Sequence, residues 1–175
     1  MNKYVAFLRG INSGKNPSTK MGDIKALFKQ IGFEKVDSVL ASGNIIFESD
    51  EDNLKEKIDS EFEKEFGFNP NSVIRSEQEI TDIINKNLFP KDLTKSQKTN
   101  VSFLLEDKAY SFSVPFEQGC YKILEINNKS IFSIVDIDNG STLDLMKFLD
   151  DEFGKDLTTR TFGTVGKVYK KMTQT

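Results

Sequence analysis

The 175-residue sequence contains no histidine, no tryptophan and a single cysteine. Without histidine it cannot form the serine or cysteine triads that use an imidazole base, nor a histidine-containing zinc site. The lone Cys120 excludes an intrachain disulfide and is typical of a reducing compartment, so we expect a cytoplasmic protein. Any acid–base chemistry would fall to Asp, Glu, Lys, Tyr or Cys, and the residues indicate no cofactor or metal.

Long apolar runs are also missing. No stretch is long enough to cross a bilayer, and the first apolar run, Tyr4–Leu8, is too short for a signal sequence. The net charge is -3, with acids and bases interspersed, so the chain lacks a uniformly basic footprint for nucleic acid. We therefore expect no membrane partner, whereas a local basic face stays open.

The composition that is present is that of a globular chain. Hydrophobic residues make up 37% and charged residues 29%, and fifteen phenylalanines supply much of the apolar volume. A chain of this length forms one domain or two small subdomains. The pattern favours a first subdomain at 1–88 and a second at 99–175, joined by a polar connection that contains Pro90.

Hydrophobic spacing predicts the order β-α-β-β-α-β-α for the first half. The expected elements are a strand at Lys3–Leu8, a helix burying Met21, Ile24, Leu27, Phe28 and Ile31, a hairpin of Phe33–Leu40 and Ile45–Phe47, a helix burying Leu54, Ile58, Phe62 and Phe66, a strand at Ser72–Arg75 and a helix carrying Ile80, Ile83 and Ile84. The opening βαββαβ is the ferredoxin-like order.

The second half predicts β(α)ββα, which makes the whole chain an α+β protein with mostly antiparallel sheets. The expected elements are strands at Asn100–Leu105, Cys120–Ile126 and Ser130–Ile137, a loop or broken helix at Glu106–Gln118, a helix at Ser141–Phe153 with Leu143, Met146, Leu149 and Phe153 inward, and a final helical segment at Thr161–Met172. Gly32, Gly67 and Gly154 each follow an amphipathic run and should end a helix with positive φ.

A polar loop joins the first strand to the first helix. Its candidate ligand-binding residues are Arg9, Gly10, Asn12, Gly14, Lys15 and Lys20. A strand, a glycine loop and a helix start can bring backbone N–H groups and fixed positive charge onto one anion. The loop is not an ordinary nucleotide-binding P-loop, because only three residues separate its glycines and Asn16 follows the lysine. It is either an anion site or a connection whose glycines only turn the chain.

Two other motifs are considered beside this loop. Ser42 and Asn44 flank a glycine between two strands, where they either form a hairpin turn or donate hydrogen bonds to a ligand near the first loop. The segment Asp136–Gly140 departs from a calcium loop, because its glycine comes one position early and Lys147 occupies the place of the final glutamate. We expect a turn and a helix cap there.

YVAFLRGINSGKN, followed by KMGDIKALFKQIGFEKVDSVLASGNIIFES, resembles bacterial domain-of-unknown-function family 1697. That family has an RGIN loop with glycines and a lysine, a Gly-Phe helix end, a Ser-Gly-Asn turn and a Thr-Thr-Arg stretch before a last helix. Here TTRTFGTVGKVYKK occupies the last place. The resemblance implies an α+β fold of ferredoxin-like character and no established activity. It adds Thr159 and Arg160 to the candidate ligand-binding residues.

Three functions follow as open hypotheses. The first is a module that binds an anion: a nucleotide, a phosphorylated metabolite or nucleic-acid phosphates. The second is an enzyme acting on a phosphorylated or carboxylated small molecule, with Arg9 and Lys15 stabilising charge and Tyr4, Asp23 or Asp37 handling protons. The third is a protein–protein adaptor without a ligand. In the first two, Arg9, Lys15, Asn44 and Arg160 are expected to converge on one cleft.

Overall fold

The structure is a computed structural model that describes residues 1–174. It has the mixed helices and antiparallel sheets expected of an α+β protein, which confirms the predicted class. The strands are β1 (Asn2–Phe7), β2 (Glu34–Val39), β3 (Asn44–Ser49), β4 (Val73–Ser76), β5 (Gln97–Leu104), β6 (Phe116–Gln118), β7 (Tyr121–Asn127), β8 (Ser130–Asp136) and β9 (Leu157–Thr161). The helices are α1 (Met21–Gln30), α2 (Leu54–Phe66), α3 (Glu77–Lys86), α4 (Thr142–Phe153) and α5 (Phe162–Thr173).

The chain divides into two compact units. One comprises Met1–Asn85 together with the segment from Gly166 onward, and the other comprises Lys86–Val165. The division falls within α5, so the first turn of this helix belongs to the second unit and the remainder to the first.

The first unit contains a four-stranded sheet in the order β2-β3-β1-β4. All three pairings are antiparallel, and the central pair places Phe7 opposite Asn44. In a βαββαβ chain the first and third strands are central neighbours, and β1 and β3 are adjacent here. This register brings the end of β1 and the start of β3 to the same end of the sheet.

Helices α1 and α2 pack their apolar stripes on one face of this sheet. Ile58 and Phe62 are fully buried, Leu54 is 7% exposed, and Phe66 at the end of the stripe is half-buried. The α1 stripe of Ile24, Leu27 and Phe28 joins the same cluster. Gly67 takes φ +83° at the end of α2, and Gly32 and Gly154 also have the positive φ that their positions predict.

The second unit contains a five-stranded antiparallel sheet in the order β6-β7-β8-β5-β9. Strands β6 and β9 were not predicted: β6 lies in the segment expected to be a loop or broken helix, and β9 contains the Thr-Thr-Arg stretch. Strand β9 pairs with β5, opposing Arg160 to Val101. Because β9 is stabilised by pairing with a segment distant in sequence, its five residues carry no local pattern that predicts a strand.

Helix α4 covers one face of this second sheet, and its buried stripe differs from the predicted one. Leu145, Leu149 and Phe153 are buried, whereas Leu143 is 71% exposed. The prediction of an inward Leu143 is therefore wrong. Residues spaced by four stack along one face of a helix, and the stripe that fits the sheet begins at Leu145, two residues after Leu143 and so on the opposite side of α4.

The C-terminal part of α5 is attached to the first unit by charged contacts. Lys171 Nζ lies 2.7 Å from Asp37 Oδ2 on β2, and Lys3 Nζ donates to Met172 O at 2.5 Å. The hydrogen bond from Lys171 lowers the pKa of the Asp37 carboxyl below its ordinary value, and the charge of Lys25 at 3.9 Å acts in the same direction.

Replacing Phe62 with alanine should lower the free energy of unfolding by about 3–5 kcal/mol, because the ring is fully buried and its loss leaves a cavity. Leu143→Ala is the matched control, with an expected change within about 0.5 kcal/mol for an exposed side chain. Urea melting of both variants measures this. A loss below about 1 kcal/mol at Phe62 would contradict the packing.

Asp37→Asn should destabilise the protein at neutral pH and have little effect in acid. A carboxyl whose pKa is lowered on folding stabilises the fold above its unfolded pKa, and this contribution disappears as the pH falls through the folded pKa. The neutral-pH effect should stay below about 1 kcal/mol, since the pair is partly exposed. Urea melts at several pH values, with Glu34→Gln on the same strand as control, test it. An effect that grows in acid would contradict this ion pair.

Candidate functional site

The loop after β1 and the turn before β3 meet at one end of the first sheet. Leu8 N donates to Gly43 O at 2.8 Å, and Arg9 N donates to Pro70 O at 2.8 Å. The predicted proximity of the Arg9 loop and the Ser42–Asn44 turn is therefore present. Both belong to the first unit, so their arrangement is set by the pairing of β1 and β3.

Gly43 is the point at which this loop and this turn touch. Its φ is +81°, and a Cβ there would lie 2.7 Å from Ile11 Cγ1 and 3.1 Å from Leu8 Cβ. Two constraints thus act together, a left-handed backbone and an approach too close for any side chain. The buried Ile11 closes the contact from the loop side.

The side chain of Asn12 closes the loop through hydrogen bonds to Ser18 and Thr19. Its Nδ2 donates to Thr19 O at 3.0 Å, and its Oδ1 accepts from Thr19 N at 2.8 Å and from Ser18 Oγ at 3.3 Å. The chain from Asn12 to Thr19 is thereby closed just before α1. Asn12 was predicted as a ligand-binding residue, and the structure shows its amide engaged in loop closure.

Gly10 stands at the other side of the loop. Asn16 Nδ2 donates to Gly10 O at 3.1 Å, so Asn16 folds back over it. A Cβ on Gly10 would lie 2.6 Å from that same nitrogen. The loop is thus held by two asparagines, each bonded to backbone atoms within it.

Asn44 plays a comparable part in the turn. It is fully buried, and its Nδ2 donates to Val39 O at 2.8 Å and to Ser42 Oγ at 2.9 Å. These bonds bridge the ends of β2 and β3 across the turn. Asn44 and Ser42 therefore shape the hairpin, and Leu40 within it has a φ of +59° and is 49% exposed.

Lys15 and Lys20 are exposed on the loop. Within residues 1–174, no carboxylate lies within ion-pair distance of either ammonium group. Gly14, next to Lys15, has φ +62° with open space around it. Arg9 is half-buried at the start of the loop. The exposed face of this loop is therefore cationic.

The start of α1 has backbone donors without an acceptor in the described chain. Lys20 is the N-cap residue, and no side chain caps the helix. The N–H groups of Met21 and Gly22 have no acceptor within the described chain, whereas those of Asp23 and Ile24 reach Lys20 O. A Cβ on Gly22 would meet no atom within 4 Å. An uncapped helix start with open space beside it is a place where an anion can accept hydrogen bonds.

Thr159 and Arg160 lie on β9 in the second unit. Arg160 Nη1 donates to Thr158 Oγ1 at 2.8 Å and to Thr159 O at 3.0 Å, and Thr159 Oγ1 is 2.7 Å from Ser102 Oγ. Burial lowers the pKa of the Arg160 guanidinium to about 10, so it stays charged at neutral pH. Sheet pairing to β5 fixes the backbone of both residues.

Of the three suggested proton carriers, Tyr4 and Asp37 are engaged within the fold and Asp23 is exposed. Tyr4 packs its ring against Phe47, with centroids 5.8 Å apart, and Asp37 pairs with Lys171. Asp23 is exposed in the first turn of α1. In the part of the chain that is described, no three His, Cys, Asp or Glu side chains are grouped to hold a metal, and no helix is long and apolar enough to span a membrane.

Gly43→Ala should lower the free energy of unfolding by at least about 2 kcal/mol, because it combines backbone strain with overpacking against Ile11. Gly14→Ala is the matched control: it has the same sign of φ but no neighbouring atoms, so only the conformational cost of about 1 kcal/mol remains. Chemical denaturation compares the two. Equal losses would mean that the close approach at Gly43 does not exist.

Comparison with known proteins adds fold and family. The chain aligns with the conserved bacterial protein SP0830 from Streptococcus pneumoniae at a TM-score of 0.72 and 23% identity, covering 99% of each chain. At this identity the likeness shows the fold alone. No curated protein matches the sequence. The family model described as protein of unknown function (DUF1697) matches residues 1–120, so the chain belongs to this family.

Proposed function

We propose that the loop from Arg9 to Lys20 and the start of α1 bind an anion, with a phosphate group as the fitting chemistry. The uncapped start of α1, with the exposed Lys20 as its N-cap residue and the exposed Lys15 in the loop before it, carries this proposal. Met21 and Gly22 offer backbone donors, and Lys15 and Lys20 offer charge. Nucleotides, phosphorylated metabolites and nucleic-acid phosphates share this group.

The division of labour within the loop supports the proposal. The side chains of Asn12 and Asn16 hydrogen-bond to backbone atoms of the loop. The loop geometry therefore forms without a ligand. A preformed site does not lose the ordering entropy that a flexible loop would lose on binding. The ammonium groups of Lys15 and Lys20, by contrast, make no hydrogen bond or ion pair within the described chain.

The positive end of the helix and the lysines act in the same direction. The aligned peptide dipoles of α1 place partial positive charge at its start near Met21, and the carboxylate of Asp23 in the first turn acts against it. A phosphate oxygen accepting from the two free N–H groups would form charge-assisted hydrogen bonds. The proposal does not include Thr159 and Arg160, which belong to the second unit.

Wild-type protein should bind inorganic phosphate, ATP or a short single-stranded oligonucleotide, with an affinity that falls as salt rises. Lys15→Ala and Lys20→Ala should each weaken binding about five-fold or more, because each removes a charged contact. Lys29→Ala, which removes the same charge from the last turn of α1, is the matched control. Isothermal titration at two salt concentrations measures all four proteins.

Gly22→Glu separates binding from folding. A glutamate at this position should be tolerated, because the space is open and an acid in the first turn favours the helix dipole. It should nevertheless weaken anion binding, because its carboxylate occupies the donors. If wild-type protein binds none of the three probes, or if Lys15→Ala, Lys20→Ala and Lys29→Ala bind alike, the proposal fails.

A further inference from the structure

The second unit contains a cleft of about 400 Å³ beside the β6–β7 turn. Tyr121, Phe148 and Cys120 supply its less exposed lining, and the rim includes Lys147 and Asp151 from α4. The rings of Tyr121 and Phe148 lie 5.3 Å apart, so the floor is largely aromatic. This volume is in the range of small-molecule sites, about 300–1,000 Å³.

Tyr121 is the unusual member of this lining. The residue is 6% exposed, yet its hydroxyl has no hydrogen-bond partner among residues 1–174. Without an internal partner, the hydroxyl is left to bind water or a ligand. The oxygen is also not one of the sealed unpartnered atoms of the described chain, so it reaches solvent where Tyr121 borders open space.

The phenol is available as a donor. Burial raises the pKa of the Tyr121 hydroxyl, and the neighbouring Cys120 and Asp144 raise it further, so the proton stays on the oxygen at neutral pH. Cys120 and Asp144 themselves are already engaged: Asp144 Oδ2 accepts from Ser141 N at 2.8 Å, and Cys120 Sγ contacts the same carboxylate at 3.7 Å. They form the wall of the cleft.

Gly140 makes that wall rigid. A Cβ there would lie 2.6 Å from Cys120 Sγ and 2.8 Å from Asp144 Oδ2, so the turn before α4 packs directly on the thiol and the capping carboxylate. The floor and the wall of the cleft are therefore fixed by capping and packing contacts. The rim side chains of Lys147 and Asp151 remain available to contact a ligand.

The rim presents one charge of each sign without pairing them. Lys147 and Asp151 are one helical turn apart on α4, close enough for an ion pair, yet no such pair forms between them or with any other described residue. An ammonium and a carboxylate held beside an aromatic floor match a ligand with both charges and an apolar group.

We propose that this cleft binds a small zwitterion, an α-amino acid with an apolar side chain. Its carboxylate accepts from Lys147 Nζ and the Tyr121 hydroxyl, its ammonium group faces Asp151, and its side chain lies on Phe148. This site is separate from the anion-binding loop, and either one stands if the other fails.

The probe is L-phenylalanine, titrated into ¹⁵N-labelled protein, with shifts expected at the amides of 118–121 and 144–151. Tyr121→Phe should weaken binding about five-fold while the urea midpoint stays equal to or above that of wild type, because the hydroxyl makes no internal bond that folding would lose. Lys147→Gln should weaken binding similarly. Lys95→Gln, an exposed lysine of the same unit, is the matched control and should not change it.

Two analogues test the zwitterion. 3-Phenylpropanoate lacks the ammonium group and phenethylamine lacks the carboxylate, so each should bind at least five-fold more weakly than L-phenylalanine. The proposal is overturned if L-phenylalanine causes no shift at 10 mM, if either analogue binds equally well, or if Tyr121→Phe retains wild-type affinity. A drop in the urea midpoint of Tyr121→Phe would also overturn it, since the hydroxyl would then have an internal role.

Discussion

The close approach of Gly43 to Leu8 and Ile11 is the constraint on which the end of the first sheet depends. The strand register sets Phe7 opposite Asn44, and the contact at Gly43 then leaves no room between the hairpin turn and the loop that follows β1. With one side of the loop sealed, its remaining side faces solvent. That side carries Lys15, Lys20 and the start of α1, so the packing decides which face can meet a ligand.

The same end of the sheet shows how polar residues divide between support and recognition. Asn12 and Asn44 have polar side chains suited to ligand binding, but their amides close a loop and a turn. Unsatisfied backbone amides are costly, so short polar side chains beside turns are commonly used locally. The groups without an internal use are the lysines and the two N–H groups of α1, and the proposed site rests on these. In the second unit the Tyr121 hydroxyl likewise has no hydrogen-bond partner among the described residues.

The sequence predicts the elements whose signal is local. Helices α1 and α2 have repeating apolar residues and terminal glycines, and the Ser-Gly-Asn turn lies between two apolar strands, so their class and order follow from spacing. Strand β9 has no local signal, because its pairing with β5 joins distant segments. Leu143 is apolar yet exposed, so an apolar residue in a helix does not by itself mark the buried stripe. The uncapped start of α1 and the unpartnered phenol of Tyr121 could not be found in sequence. Each is recognised by the absence of a hydrogen-bond partner in the folded structure, which local sequence does not encode.

The proposed function requires an anion site at the start of α1. Titrating inorganic phosphate into ¹⁵N-labelled protein and following every amide resonance shows whether that site exists. We expect the amides of Met21 and Gly22 to shift most, together with those of Gly14 and Lys15, along one saturable curve whose affinity falls with added salt. Shifts that leave Met21 and Gly22 unchanged, or that spread evenly over lysines across the surface, would contradict it.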